Sequence, residues 1–251
     1  MLEEISEFYK KTKFYLNQLA KFPEDRIPMN WVRIFYKIYP RFPKFRLPKL
    51  KAKGELENLL IRRQSVREFT DSPIPLETFG RLIHFSFGIK ENQETEVQKK
   101  RFYPSAGARY PIEPYIIANN ISDLNFGLYH YNTKEDKLEV LLKRDLRRDS
   151  QKIFGEDISI NNPNFIILTG VMSRTEVKYG INAYRFALLE AGHIGQNLYL
   201  LSEKENLGCC AIGGFDNDYL SKLLDLTDDE IPIYSIAIGN KVKNAKLQDS
   251  K

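Results

Sequence analysis

The spacing of apolar residues divides the chain into a short N-terminal helix, a proline-broken arm and a mixed body. Ile5, Phe8, Tyr9, Phe14, Tyr15 and Leu19 recur near one face over residues 1–20, which predicts an amphipathic helix. Pro23, Pro28, Pro40, Pro43 and Pro48 interrupt regular structure as far as Gly54. Helical spacing resumes over 55–63 and ends in the basic pair Arg62-Arg63. After the Pro73-Ile74-Pro75 turn a second helix is predicted over 76–88, with Leu76, Phe79, Leu82, Ile83 and Phe87 inward and Gly88 as its stop. Residues 90–101 are polar and charged, a pattern for a loop or mobile lid.

Strand patterns follow. Tyr115 to Ala118 is a short strand, and residues 126–131 and 137–142 flank Asn132-Thr133-Lys134-Glu135-Asp136 as a hairpin. Residues 144–154 read as a short helix. Residues 165–172 are apolar without alternation, the signature of a strand buried on both faces. A long helix is expected over 182–205 with Gly208 as its stop. Residues 233–239 form a final strand before a polar tail, 240–251. The division is an N-terminal helix and arm, 1–54, and a body, 55–251. The fold class is α+β, a central sheet with helices packed on it.

Composition adds exclusions. With 251 residues, 42% hydrophobic and 28% charged, the chain can bury a large core. No apolar run approaches the length that spans a bilayer, so no membrane partner is expected. The start, MLEEISEFYKK, has early acids and no apolar stretch of a signal peptide. The two cysteines, Cys209 and Cys210, are neighbours, which neither bridge normally nor have metal-ligand spacing. A reducing, cytoplasmic setting is the expectation. The three histidines, His84, His130 and His193, do not cluster, so no zinc or iron site is expected. The net charge of +5 is uneven: residues 26–53 hold nine Lys or Arg and no acid, leaving −4 for the rest. The pI is therefore no nucleic-acid signature. This arm, with Trp31, Phe35, Tyr36, Tyr39, Phe42 and Phe45, reads either as a wrap around its own domain or a second subunit, or as a docking surface.

Four segments have chemical content. Arg63, Ser65 and Arg67 alternate, so an extended chain points two guanidinium forks and a hydroxyl one way, a donor set suited to phosphate. In Tyr103-Pro104-Ser105-Ala106-Gly107-Ala108-Arg109-Tyr110-Pro111, two prolines bracket small residues that let backbone N–H groups approach a flat ligand. Gly213-Gly214-Phe215-Asp216 offers a tight turn. Lys178-Tyr179 pairs two proton-transfer side chains at the start of the long helical run. Neither a Rossmann fingerprint nor a phosphate loop of the Walker type is present.

In this order the segments resemble the FMN-dependent nitroreductase superfamily over roughly residues 55–240. Arg63-x-Ser65-x-Arg67 is similar to its phosphate motif, the Pro104-Ser105 loop to its flavin loop, and Gly214-Phe215-Asp216 to its late turn. Within it, Pro104-Ser105-Ala106-Gly107, Lys178-Tyr179, Tyr184-Arg185-Phe186 and the run Leu188 to Asn197 resemble the SagB-type dehydrogenases, or McbC-like azoline oxidases. The resemblance implies a domain-entwined homodimer with a central, mainly antiparallel sheet and FMN at the subunit interface. It implies oxidation of thiazoline or oxazoline rings in a ribosomally made peptide, alongside a cyclodehydratase. By position, Arg63, Ser65 and Arg67 would hold the phosphate and ribityl chain. Pro104, Ser105 and Gly107 would line the flavin, and Gly213 and Gly214 would sit near its reactive edge. Lys178 and Tyr179 match the family's catalytic pair, with a Lys neutralised by burial or a Tyr as base. For the family's late phosphate-binding cation the candidates are Lys241 and Lys243, with no Arg among them. Two other classes stay open: an NAD(P)H-dependent reductase of nitro compounds or quinones, and a non-catalytic peptide-binding scaffold.

Overall fold

The computed structural model describes residues 2–13, 33–91 and 99–242. Its centre is one six-stranded antiparallel sheet in the order β3-β2-β1-β4-β6-β5. The strands are β1 (Ile112–Ala118), β2 (Gly127–Asn132), β3 (Lys137–Leu142), β4 (Asn164–Val171), β5 (Leu207–Ile212) and β6 (Glu230–Asn240). The helices are α1 (Leu2–Thr12), α2 (Glu55–Arg62), α3 (Leu76–Phe87), α4 (Arg147–Phe154), α5 (Glu156–Ser159), α6 (Ser173–Tyr179), α7 (Ala183–Lys204) and α8 (Asn217–Leu223), with short 3-10 turns at 106–108 and 180–182.

The core has two halves because β4 alternates between them. Ile166 and Leu168 face a layer built from α3 and α7, with Phe79, Leu82, Phe87, Ala187, Ala191, Ile194 and Leu198. Phe165 and Ile167 face α4 and α8, with Ile153, Phe154 and Leu220. Residues 165–168 are fully buried, as the unbroken apolar run implies. Each such side chain contributes about 1.5–3 kcal/mol of burial. Phe154 stacks on Phe165 with ring centres 4.1 Å apart, which locks α4 to the sheet.

Several expectations hold and several need correction. The hairpin, the buried central strand and the long helix lie where the patterning put them. Leu76 is exposed, unlike the other four apolar residues read as the inward face of α3. In α1, Ile5 and Tyr9 are buried while Phe8 is exposed. The C-terminal part of that first helix (Phe14, Tyr15, Leu19), Trp31, residues 92–98 of the lid and Lys243 lie outside the described residues. Gly208 does not stop α7. The helix ends at Lys204, Asn206 takes the left-handed turn at φ +59°, and Gly208 lies inside β5. It is small because a Cβ there would come within 2.8 Å of Val66. Strand β5 and helices α5, α6 and α8 have no counterpart in the sequence reading. Residues 33–53 of the arm do not wrap their own domain: all are exposed, Phe45 by 92%.

Candidate functional site

Two clusters of the expected residues form, both against α7. The first lies at the β5 edge. The segment after α2 runs beside β5, where the Val66 N–H donates to the Cys209 carbonyl (2.9 Å). Val66 turns inward, so the odd-numbered neighbours turn outward, as alternation requires. The Ser65 hydroxyl meets the Tyr199 hydroxyl at 2.9 Å, and Tyr199 also accepts the Ala211 N–H at 2.8 Å. The Arg63 guanidinium lies over the Tyr199 ring, 5.3 Å from its centre. Burial pushes the Cys209 thiol up to about 12; Arg63 opposes this shift, as Arg67 opposes a smaller rise at Cys210. Both guanidiniums therefore lie beside the strand.

Lys241 joins this cluster at the end of β6, where Phe69 pairs with it in an antiparallel bridge. One carboxylate, Glu203, contacts both Lys241 (3.5 Å) and Arg62 (3.1 Å). Cations outnumber acids here, which suits a phosphate. Gly213 follows β5 with open space where a Cβ would stand, so a flat ligand can approach the backbone. Asp216 caps α8 by accepting the Tyr219 N–H (2.9 Å), which fixes the turn containing Gly214.

The second cluster lies where α6 meets the start of α7. Pro104 is exposed, and Gly107, Ala108 and Tyr110 of its loop all have positive φ. At Gly107, φ +60°, a Cβ would lie 2.7 Å from the Tyr179 hydroxyl and 2.9 Å from the Lys178 amine. The loop and the Lys-Tyr pair are thus in direct apposition across some seventy residues of sequence. The Lys178 amine sits 5.3 Å from the Tyr179 ring centre, and Phe186 packs edge-on to that ring at 4.8 Å. Lys178 is exposed in the single chain, so the expected burial is not supplied by its own domain.

A charged network anchors the cluster. Arg174 of α6 pairs with Glu113 of β1 and donates to the Tyr110 carbonyl (3.3 Å), while Arg109 donates to the Arg174 carbonyl (2.6 Å). Burial would raise the Glu113 carboxyl, yet His130 and Arg174 outweigh it and hold the carboxyl below its usual range. Burial would lower His130, but Glu113 and Glu139, each 2.9 Å from a ring nitrogen, raise it. The sequence reading missed Tyr199, Glu203, Arg174 and Glu113, since nothing local links them to sites dozens of residues away. Among the described residues no group of three His, Cys, Asp or Glu could hold a metal, and no helix is long and apolar enough to cross a membrane.

The two clusters are arranged along α7. Tyr199 serves the first, and the buried Glu190 lies on the same helix toward the second; nine residues of helix place them about 14 Å apart. Beside the second cluster a groove of about 410 Å³ opens between α1 and α7, lined by Ile5, Phe8, Ile181, Tyr184, Arg185 and Leu188.

The sequence pattern of the nitroreductase family matches residues 60–240. MJ1384 of Methanocaldococcus jannaschii, named as a nitroreductase, is 27% identical over 190 residues, which are 75% of this chain and 92% of that protein. The microcin B17-processing protein McbC of Escherichia coli is 28% identical over 133 residues, 51% of this chain and 49% of McbC. A chain in the structure of the E. coli microcin synthetase McbBCD complex with truncated pro-MccB17 bound superimposes with a TM-score of 0.73, covering 96% of this chain and 94% of that one at 19% identity.

Proposed function

The chain belongs to the nitroreductase family, an oxidoreductase with similarity to McbC, and from that premise we propose that it is an FMN-dependent dehydrogenase of thiazoline or oxazoline rings in a ribosomally made peptide. One observation carries the proposal: the Pro104–Gly107 loop faces the Lys178-Tyr179 pair at contact distance. A flat coenzyme site and a proton-transfer pair are then neighbours.

FMN fits the donor set. Arg63, Arg67, Ser65 and Lys241 would hold its phosphate end, Ser105 and Gly107 would line its ring, and Gly213-Gly214 leave room at its edge. When bound, it supplies the acceptor for the two electrons that leave Cβ as hydride. The protein's own residues do the rest. Aromatisation also removes a proton from Cα, and Lys178 Nζ or Tyr179 Oη is the base that takes it. Such help is worth on the order of 10²–10⁴-fold. Phe186 holds the phenol edge-on and so limits its swing. The groove between α1 and α7 begins beside this pair and is apolar enough for a peptide side chain.

The site belongs to a homodimer in this reading. A lysine base must be neutral, which calls for burial. Lys178 is exposed in one chain, and so are Leu188 and Leu189 on the outer side of α7. A second copy would enclose all three. A complex with a cyclodehydratase is consistent with the McbBCD superposition.

The test begins with the absorbance spectrum of freshly purified protein, which should show flavin. Lys178→Ala and Tyr179→Phe should keep the flavin and lose ring oxidation by 10²-fold or more. Full oxidation by both variants removes these residues from the chemistry. The second reading, an NAD(P)H-dependent reductase of small molecules, is favoured by the match to MJ1384 over nearly its whole length. It requires rapid reduction of the bound flavin by nicotinamide alone. A chain that takes up no FMN leaves only the scaffold reading.

A further inference from the structure

Strand β3 is an edge of the sheet. Half of its backbone N–H and C=O groups point away from β2, and among the described residues no hydrogen bond crosses that edge. The opposite edge is closed. There the segment after α2 runs along β5, with the Val66 N–H on the Cys209 carbonyl. Proteins blunt an open edge with charge or a bulge, or cover it. The middle of β3 has little of this protection: no residue of the strand is buried, and Val140 and Leu141 are each 48% exposed. Such an edge is a template for an added strand.

The surroundings say what that strand would be. On the face of the sheet that carries α3, a groove of about 340 Å³ opens between that helix and the start of β3. Leu76, Phe79 and Ile83 line one side of it, Tyr131 and Leu138 the other. A chain laid along β3 sends every second side chain to this face, so an apolar one enters the groove. The acid of the groove, Asp136, is engaged by His84 (2.9 Å) and by the Tyr131 hydroxyl. Its cations, Arg81 and Lys137, pair only loosely, with Glu205 at 3.5 Å and Glu135 at 3.3 Å. Past the other end of β3, Arg144 and Arg147 take Asp149 and Asp145, and Lys143 makes no ion pair among the described residues. Six cations stand against four acids between residues 134 and 148, while the body outside this stretch is net negative. A second copy of β3 would bring like charge to the edge. An acidic peptide complements it.

The edge also leads to the reaction site. Tyr115, His130 and Glu139 are level on three neighbouring strands, so the Lys137 end of β3 and the Ile112 end of β1 share one end of the sheet. Ile112 follows the Pro104–Gly107 loop. Two strand spacings, about 10 Å, separate β3 from β1, a span that about three extended residues cover.

We propose that β3 captures an extended acidic peptide as a seventh strand, with an apolar side chain in the groove beside α3, and leads the adjoining residues to the loop end of the sheet. That the captured peptide is the one oxidised rests on the function proposed above, whereas the strand pairing does not.

The test uses the full chain without flavin and a fluorescein-labelled hexapeptide of alternating aspartate and valine. Fluorescence polarisation should show binding, and lysine in place of aspartate should abolish it. Only every second amide of an added strand faces β3. N-methylation of one alternate set of amides should therefore abolish binding, and methylation of the other set should spare it. Hydrogen exchange should slow at the outward amides of residues 137–142 when peptide is added, and not at β5. Lys137→Glu with Lys143→Glu, both exposed, should keep the fold and weaken binding by about tenfold.

Equal loss from both methylated sets, unchanged exchange at β3, or no binding by the wild type overturns the proposal. Amides of β3 already protected without peptide, and more so as protein concentration rises, give the edge to a second copy and overturn it too. A chain that captures the peptide yet oxidises no ring sinks only the function proposed above and leaves the capture site standing.

Discussion

The Cα of Gly107 faces the phenol of Tyr179 so closely that a single methyl group at 107 would stand 2.7 Å from the Tyr179 hydroxyl. The same residue has φ +60°, where a Cβ is disfavoured by about 1–2 kcal/mol. Gly107→Ala is thus expected to strain the loop and push Tyr179 and Lys178 aside. It should lower stability by about 1–2 kcal/mol and turnover by at least tenfold. Tyr179→Phe removes the atom that the new methyl meets, so the two changes should destabilise by less than their sum. Additive unfolding energies in the double-mutant cycle would show that the two residues do not touch.

Glu203 divides its charge between Lys241, one of the cations proposed to hold phosphate, and Arg62, the neighbour of Arg63. Removing the carboxylate frees them. Glu203→Gln should tighten FMN several-fold, and Lys241→Ala should weaken it by roughly 10- to 100-fold, the worth of one charged hydrogen bond. Titration by flavin fluorescence measures both. Equal affinity in Lys241→Ala and wild type would take Lys241 out of the site.

The His130 network makes a pH prediction with a definite sign. The imidazole is raised above 6.5 in the folded chain, so its contribution is full below 6.5 and is lost as pH climbs through the raised value. Glu113, held below 4.5, contributes above that pH and loses its contribution in acid. His130→Gln should therefore cost on the order of 1 kcal/mol near pH 6 and less near pH 9. Glu190, whose carboxyl burial pushes up to about 7, slopes the same way, so the comparison belongs in the Glu190→Gln background. A His130→Gln penalty that grows with pH contradicts the assignment. Because Arg174 shares Glu113 and carries α6, loss of the network should also reduce turnover through a looser Lys178-Tyr179 pair.

Much of this arrangement was legible in the sequence where the signal is local. β4 reads as buried because eight successive residues leave no polar face. Arg63, Ser65 and Arg67 read as one face because a strand alternates. Strand β5 escaped because Gly208 reads as a helix stop and Gly213-Gly214 as a turn, which leaves only four residues between them to signal a strand. Its glycine answers instead to Val66, more than a hundred residues earlier. Helix α6 escaped because seven residues give less than two full turns of periodicity. The burial of Glu190 could not be read locally, since it follows from the packing of α7 in the assembled core.

The last prediction concerns the arm. Residues 34–50 leave Ile34, Phe35, Tyr36, Phe42, Phe45 and Leu50 exposed among the described residues. Apolar surface on this scale marks an interface. The arm carries the chain's surplus of positive charge, and the remainder is net negative. A second copy is therefore an electrostatic complement to it. α1 should be left intact, because Ile5 and Tyr9 belong to the core and the Tyr9 hydroxyl accepts the Asn217 amide (3.0 Å). Replacing Phe35, Phe42 and Phe45 together by Ser removes no contact with the chain's own core. The triple variant should keep its secondary structure and unfold as a monomer at low concentration, with the dimer dissociation constant raised at least 100-fold in sedimentation velocity. An unchanged constant in a folded triple variant would mean that the arm serves some other partner than its own copy.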